Sequence, residues 1–214
     1  MPVFALDDSL RFPPVEFSEP DGLLAAGGDL SIKRLLAAYQ NGIFPWYEGN
    51  DILWWCPDPR FVLFPEELQI SKSMAKLLRD GHFEFTINKD FKQVIDHCKT
   101  VSRKNQNGTW ITPAIKAAYI DLHQAGYAHS AEAWLNNNIV GGLYGVKIGK
   151  VFFGESMFST VSNASKFTFI KYVQQLTREG ITLIDCQVYT PHLESLGASM
   201  IPRNMFLNLL KKYL

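Results

Sequence analysis

Three polar residues interrupt two apolar runs. Glu155 stands in Phe152-Phe153-Gly154-Glu155-Ser156-Met157-Phe158-Ser159, and Asp185 and Gln187 stand in Leu183-Ile184-Asp185-Cys186-Gln187-Val188. A carboxylate among apolar neighbours is costly to bury unless a cation or hydrogen-bond donors meet it. Residues i and i+2 of a strand share a face, so Asp185 and Gln187 are expected to point together. The chemistry on offer is alignment of a nucleophile. An amide is a poor base, but Gln187 can orient an amine by hydrogen bonding while Asp185 fixes its direction. A free α-amino group, with a pKa near about 8, needs little help to lose its proton. The other reading of Asp185 and Gln187 is a network satisfying strand-end backbone groups, and that of Glu155 is a buried ion pair. Trp46, after Pro45 in a turn, and Trp110, after Gly108 on a loop, are placed to stack on a base, a contact worth about 1–3 kcal/mol.

The elements that must position these residues read clearly. Residues 10–60 are rich in Pro and Gly, around a helix at 32–41 that Ser31 caps and Gly42 ends. Residues 1–62 are expected to form a small N-terminal domain. From 63 onward the pattern predicts helices at 71–80, 89–100 and 113–124, the last with Thr112 as cap and Pro113 at its first position. A strand is expected at 84–88. Strands at 128–135, 139–146 and 150–158, with a turn at 136–138, read as an antiparallel meander. A helix at 163–180 then leads to a strand at 181–189, a helical turn at 191–196 and a terminal helix at 202–213. The crossover makes the strands 150–158 and 181–189 parallel and adjacent. The class is α/β (α+β), with 63–214 resembling the N-acetyltransferase (GNAT) fold on a mixed sheet. The site is expected where the parallel strands part, at their carboxyl ends.

Composition narrows the function classes. The chain has 214 residues and a formal net charge of +0, yet residues 1–70 hold 4 Lys/Arg against 11 Asp/Glu and residues 71–214 hold 17 against 10. The basic excess is densest from Lys72 to Lys104, where it is either a solvated face or a surface for phosphates. Cys56, Cys98 and Cys186 are too scattered for a disulfide framework or a metal pair, which fits a reducing, cytoplasmic setting. The N-terminus does not read as a signal peptide, and no apolar run reaches the roughly 18 residues of a membrane span. His82, His97, His123, His129 and His192 lack zinc spacing, so no metal is expected. Ser159-Thr160-Val161-Ser162, before the 163–180 helix, lacks the glycines that would cradle a pyrophosphate. That disfavours a coenzyme A-dependent N-acetyltransferase, and no cofactor is expected. A non-catalytic RNA-binding module is the other alternative, but it gives no reason for Glu155, Asp185 and Gln187.

An ordered set of motifs runs through nearly the whole chain: Gly22-Leu23-Leu24-Ala25-Ala26-Gly27-Gly28-Asp29-Leu30, Gly42-Ile43-Phe44-Pro45-Trp46, Leu53-Trp54-Trp55-Cys56-Pro57-Asp58-Pro59-Arg60, Gly108-Thr109-Trp110-Ile111-Thr112, Gly154-Glu155-Ser156-Met157-Phe158-Ser159, Asn163-Ala164-Ser165-Lys166 and Ile184-Asp185-Cys186-Gln187. In this order and spacing the set resembles the bacterial leucyl/phenylalanyl-tRNA–protein transferases. The resemblance implies transfer of Leu or Phe, and less readily Met, from aminoacyl-tRNA to acceptor proteins with N-terminal Arg or Lys, marking them for N-end rule degradation. It implies that Trp46 and Trp110 sandwich the terminal adenine of the tRNA. By the same resemblance Leu143, Gly154, Met157, Tyr172, Leu176 and Ile184 shape the pocket for the transferred side chain. Glu155, Asp185 and Gln187 would sit where ester and amine meet. Tyr172 and Leu176 stand where relatives often carry Phe, and Leu143 where Met is common, which leaves the preference among Leu, Phe and Met open. A monomer is expected.

Overall fold

The structure is a computed structural model that describes residues 3–100 and 110–214. Arg103 and Lys104 of the basic stretch, and Gly108 and Thr109 of their motif, lie outside the described residues. Strands β1 (Phe4–Leu6), β2 (Leu23–Gly27), β3 (Phe44–Pro45) and β4 (Leu53–Trp55) form a four-stranded sheet in the order β1-β2-β4-β3. Strands β5 (Arg60–Leu63), β6 (Glu84–Ile87), β7 (Ala128–Leu135), β8 (Asn138–Ile148), β9 (Val151–Ser159), β10 (Leu183–Gln187) and β11 (Ser199–Ile201) form a seven-stranded sheet in the order β11-β5-β10-β9-β8-β7-β6. The helices are α1 (Ile32–Gln40), α2 (Lys72–Arg79), α3 (Phe91–Thr100), α4 (Pro113–Gln124), α5 (Ala164–Arg178), α6 (Pro191–Glu194) and α7 (Arg203–Tyr213).

Local chemistry sets most of these boundaries. The side chains of Ser31, Ser71 and Thr112 accept the N–H of Arg34, Met74 and Ile115, capping α1, α2 and α4. Helix α3 begins at Phe91, two residues later than the expected 89, because Asn88 is left-handed and the Asp90 carboxylate takes the N–H of Gln93. β10 is shorter than expected, since Gln187 turns left-handed at its end (φ 63°). β5 and β11 were not foreseen: strands of three or four residues are too short to show a period.

The meander and crossover are present. β7, β8 and β9 pair antiparallel, α5 crosses over, and β10 returns parallel to β9. The parallel pairing runs only from Leu183↔Val151 to Asp185↔Phe153, after which the strands part. Leu143, Phe152 and Ile184 pack with Phe169, Tyr172 and Leu176 of α5 in one apolar cluster. Tyr144, Phe153 and Phe158 pack with Tyr39 of α1, Tyr119 of α4 and Trp54 of the small sheet in a second. The small and large sheets therefore share a core, and β5, at residues 60–63, lies inside the large sheet between β10 and β11.

Candidate active site

Two β-bulges shape the parting of β9 and β10. Tyr144 pairs with Ser156 and Gly145 with Gly154, so Glu155 is the extra residue of β9. Gly145 permits this: a Cβ there would lie 2.2 Å from the Phe153 carbonyl oxygen. In β10, Asp185 pairs with Val62 and Gln187 with Phe61, so Cys186 is extra. A bulge re-aims side chains and breaks strict alternation. Simple i, i+2 spacing therefore does not fix where Asp185 and Gln187 point: both line one cavity, but their side chains bind different partners.

Asp185 is fully buried and grips Arg60, which is 1% exposed, with Oδ1 2.7 Å from Nε and Oδ2 2.6 Å from Nη2. The Arg60 guanidinium also lies 4.7 Å from the ring centres of both Phe44 and Phe206. Burial works against its charge, but Asp185 more than offsets that and lifts its pKa. Asp185 Oδ1 also accepts the backbone N–H of Gln187 at 2.9 Å, which holds that residue in its left-handed conformation. The buried ion pair that the sequence left open for Glu155 therefore belongs to Asp185.

Glu155 instead meets neutral donors. Its Oε1 lies 2.8 Å from the Tyr39 hydroxyl and accepts the Gln187 side-chain amide at 2.9 Å. Its Oε2 lies 2.7 Å from the Tyr119 hydroxyl, and the two tyrosine oxygens are 2.5 Å apart. Burial pushes the Glu155 carboxyl up to about 8, against hydrogen bonds from Tyr119, Tyr39 and Gln187 that favour its charge. Tyr39 and Tyr119 did not stand out in the sequence. The available signal was a polar-tipped aromatic on the apolar face of each helix, since a buried tyrosine hydroxyl needs a partner.

A cavity of about 470 Å³ opens between the parting strands, a volume suited to a small ligand group. Of the residues brought forward from the sequence, Leu143, Gly154, Glu155, Met157, Ile184, Asp185 and Gln187 line it. Leu143, Phe152, Met157, Phe169 and Ile184, which belong to one apolar cluster, line it together with the hydrogen-bonded Glu155 and Gln187. Ser159, Ser165, Thr190 and His192 add polar groups. Cys186 also lines the cavity, but burial pushes its thiol far above the ordinary range and leaves it a poor nucleophile. Burial, and secondarily Lys166, lowers the His192 pKa. Tyr172 and Leu176 are buried in the same cluster, with Tyr172 edge-on to Phe152 at 5.1 Å. Trp46 and Trp110 are not among the lining residues. Trp46 packs beside Trp55 at 5.7 Å, and Trp110 is 6% exposed. Among the described residues, no group of three or more His, Cys, Asp or Glu could hold a metal, and no helix is long and apolar enough to cross a membrane.

The cleft between the parting parallel strands is thus lined by apolar side chains and by a hydrogen-bonded carboxyl and amide. The model of the leucyl/phenylalanyl-tRNA protein transferase family matches residues 62–211, and that of its N-terminal domain matches residues 28–58. A leucyl/phenylalanyl-tRNA–protein transferase of Christiangramia forsetii is 56% identical over 211 residues, covering 97% of this chain and 100% of the relative. One of Syntrophus aciditrophicus is 54% identical, covering 100% and 90%, and one of Pseudomonas fluorescens is 55% identical, covering 97% and 92%. The chain belongs to this family of aminoacyltransferases. Solved structures align more loosely. A conserved protein of unknown function from Bacteroides thetaiotaomicron is 14% identical with a TM-score of 0.48, covering 64% of this chain and 53% of that one. A GCN5-related N-acetyltransferase from Kribbella flavida is 10% identical with a TM-score of 0.39, covering 78% and 59%.

Proposed function

We propose that the protein transfers Leu or Phe, and less readily Met, from aminoacyl-tRNA to the N-terminal Arg or Lys of acceptor proteins, marking them for N-end rule degradation. The observation that carries this reading is one cavity lined both by apolar side chains and by the hydrogen-bonded Glu155–Gln187 pair. Family membership supports an aminoacyl-tRNA as donor and a protein as acceptor. The acceptor's α-amine nitrogen bonds to the ester carbonyl carbon. The bond from that carbon to the tRNA ribose oxygen breaks, and one amine proton ends on the ribose oxygen. The ester is already activated, so alignment supplies most of the acceleration and no cofactor is used.

In this scheme Leu143, Gly154, Met157 and Ile184 contact the transferred side chain, while Tyr172 and Leu176 support the apolar cluster. Gln187 and Glu155 orient the amine. Both oxygens of Asp185 are engaged, which supports a positioning role for it and leaves the proton to the free ribose hydroxyl beside the ester. Trp46 and Trp110 hold the terminal adenine. Exposed Lys72, Lys76 and Arg79 on α2 and Lys92 on α3 suit the tRNA phosphates, read by charge rather than sequence. The acid-rich segment 1–62 acts as an N-terminal domain beside the transferase domain 63–214, and the protein works as a cytoplasmic monomer.

The test is transfer of labelled Leu from leucyl-tRNA to a peptide beginning with Arg, beside the same peptide with that Arg acetylated. Labelling of the free-amine peptide alone is expected. Labelling of neither, with intact tRNA binding, would replace this reading with an RNA-binding module.

A further inference from the structure

Three oxygen–oxygen contacts close a cycle: Tyr39 to Glu155 Oε1 at 2.8 Å, Tyr119 to Glu155 Oε2 at 2.7 Å, and Tyr39 to Tyr119 at 2.5 Å. Each contact at such a distance needs one proton between its oxygens. The two phenols supply two protons. Both phenol pKa values are driven well above the ordinary range, by burial first and then by the neighbouring Glu155, so neither phenol ionises. If Glu155 were ionised, two protons would serve three contacts, and one pair of oxygens would face each other with nothing between them. The third proton therefore belongs to Glu155. With the acid proton on Oε2, that group donates to Tyr119, Tyr119 to Tyr39, and Tyr39 to Oε1. Oε1 keeps a further lone pair for the Gln187 amide at 2.9 Å.

We infer that Tyr39, Tyr119 and Glu155 form a closed cycle of three hydrogen bonds that keeps Glu155 a neutral acid beside the amine, and that the two tyrosines are positioning residues for the transfer. The inference rests on the reaction proposed above. The surroundings agree with it. Tyr119 on α4 stands edge-on to Tyr144 of β8 at 5.4 Å, and Tyr39 on α1 packs on Phe153 of β9 at 4.9 Å. Asp185 on β10 disfavours a second negative charge, while its own charge is answered by Arg60 on β5. Burial lifts the Glu155 carboxyl to about 8, in the same direction as the proton count. The consequence is chemical. A carboxylate would pair with the incoming α-ammonium and stabilise its protonated, unreactive form, whereas a neutral acid does not.

Counting each tyrosine alone and counting the cycle give opposite signs for one substitution. If each hydroxyl merely donates to a carboxylate, Tyr119→Phe removes support from the anion and raises the Glu155 pKa. In the cycle, the neutral form loses two hydrogen bonds. The anion loses one and is relieved of the protonless contact, so the pKa falls by about one unit, the size of one net hydrogen bond. The experiment is an infrared titration of the whole protein without substrate, with Glu155→Gln identifying the carboxylic-acid band. The expected result is an acid band at pH 7 in the parent and a lower midpoint in Tyr119→Phe. Tyr39→Phe opens the same cycle and serves if Tyr119→Phe does not fold. The break in the pH profile of single-turnover transfer is expected to move with the infrared midpoint. Absence of the acid band at pH 7, a midpoint that stays or rises, or a pH profile that does not follow the midpoint overturns the inference. An intact band in a protein that transfers nothing would sink the proposed reaction and leave the cycle standing.

Discussion

Replacing Asp185 with Ala separates what this carboxylate holds together from what the reaction uses. In the parent, Asp185 is 0% exposed and Arg60 1%, and two charge-assisted hydrogen bonds of 2.7 and 2.6 Å join them. The substitution leaves a buried guanidinium that has lost both of its carboxylate hydrogen bonds, between the faces of Phe44 and Phe206, each 4.7 Å away. Breaking one side of a buried pair costs about 3–5 kcal/mol. At about 2–4 °C per kcal/mol for a domain of this size, Tm falls by roughly 6–20 °C. A compound variant, Asp185→Leu with Arg60→Met, removes both charges and is expected to recover most of that loss, because an apolar replacement of a buried pair is often neutral. Transfer should not recover. Both variants lack the oxygen that accepts the Gln187 N–H, and a misplacement of about 1 Å at a reacting group costs about a hundredfold. Denaturant unfolding and single-turnover transfer, measured on the same preparations, decide the matter. A compound variant that regains both stability and transfer refutes the positioning role. A loss below about 1 kcal/mol in Asp185→Ala refutes the reasoning about the buried pair.

The raised proton affinity of Glu155 fixes the sign of a pH effect. Between its unfolded value of 4.5 and about 8, the folded protein holds a proton that the unfolded chain has released, so stability falls as pH rises through that window and then levels off. Glu155→Gln lacks this term. Its stability relative to the parent should grow from pH 5 to pH 8 by about 3 kcal/mol, the part of that window lying above pH 5, and denaturant midpoints at pH 5, 7 and 9 will show whether it does. Gly145→Ala places a methyl 2.2 Å from the Phe153 carbonyl oxygen and opens the bulge that carries Glu155. It should cost about 1–3 kcal/mol, with equal or greater loss of transfer, and a variant that melts like the parent would show that the bulge tolerates a Cβ. Met157 lines the cavity whereas Leu176 lies behind it. Met157→Ala should therefore change the ratio of Phe to Leu transfer, while Leu176→Ala should chiefly cost about 2–5 kcal/mol of stability; the reverse pattern in donor competition and melting would place the specificity determinant at Leu176.

The legible parts of the fold share one property: their signals are local and repeated. Helix α4 has Thr112 as cap, Pro113 at its first position and an apolar face, and it appears where expected. The meander of β7, β8 and β9 has long strands and a clear Asn-rich turn, which the structure closes at 136–137, and its antiparallel register follows. β5 and β11 have three or four residues each and owe their place to partners far away in the chain. A charge at the head of Arg60-Phe61-Val62-Leu63 is the counterpart of Asp185 in its own apolar run, and the match of two lone charges in two buried strands was there to be read.

The polar set near the cavity was recognisable as residues but not as geometry, and the bulges explain why. Strand alternation assigns a face to every residue, yet Glu155 and Cys186 are each the uncounted residue in their ladder. After an extra residue, alternation no longer fixes where a side chain points, and Asp185 goes to Arg60 while Gln187 reaches across to Glu155. Glutamine at φ 63° is a conformation that costs of order 1–3 kcal/mol and persists only when its surroundings dictate it. Here they do so twice: Asp185 Oδ1 takes the backbone N–H at 2.9 Å, and Glu155 takes the side-chain amide at 2.9 Å. A glycine would occupy that backbone without strain, but it would leave Glu155 without the amide. Gln187→Gly therefore distinguishes the two demands. If the backbone conformation alone mattered, the substitution would preserve stability and transfer together. If the amide aligns the amine, stability holds or improves while transfer falls by about a hundredfold.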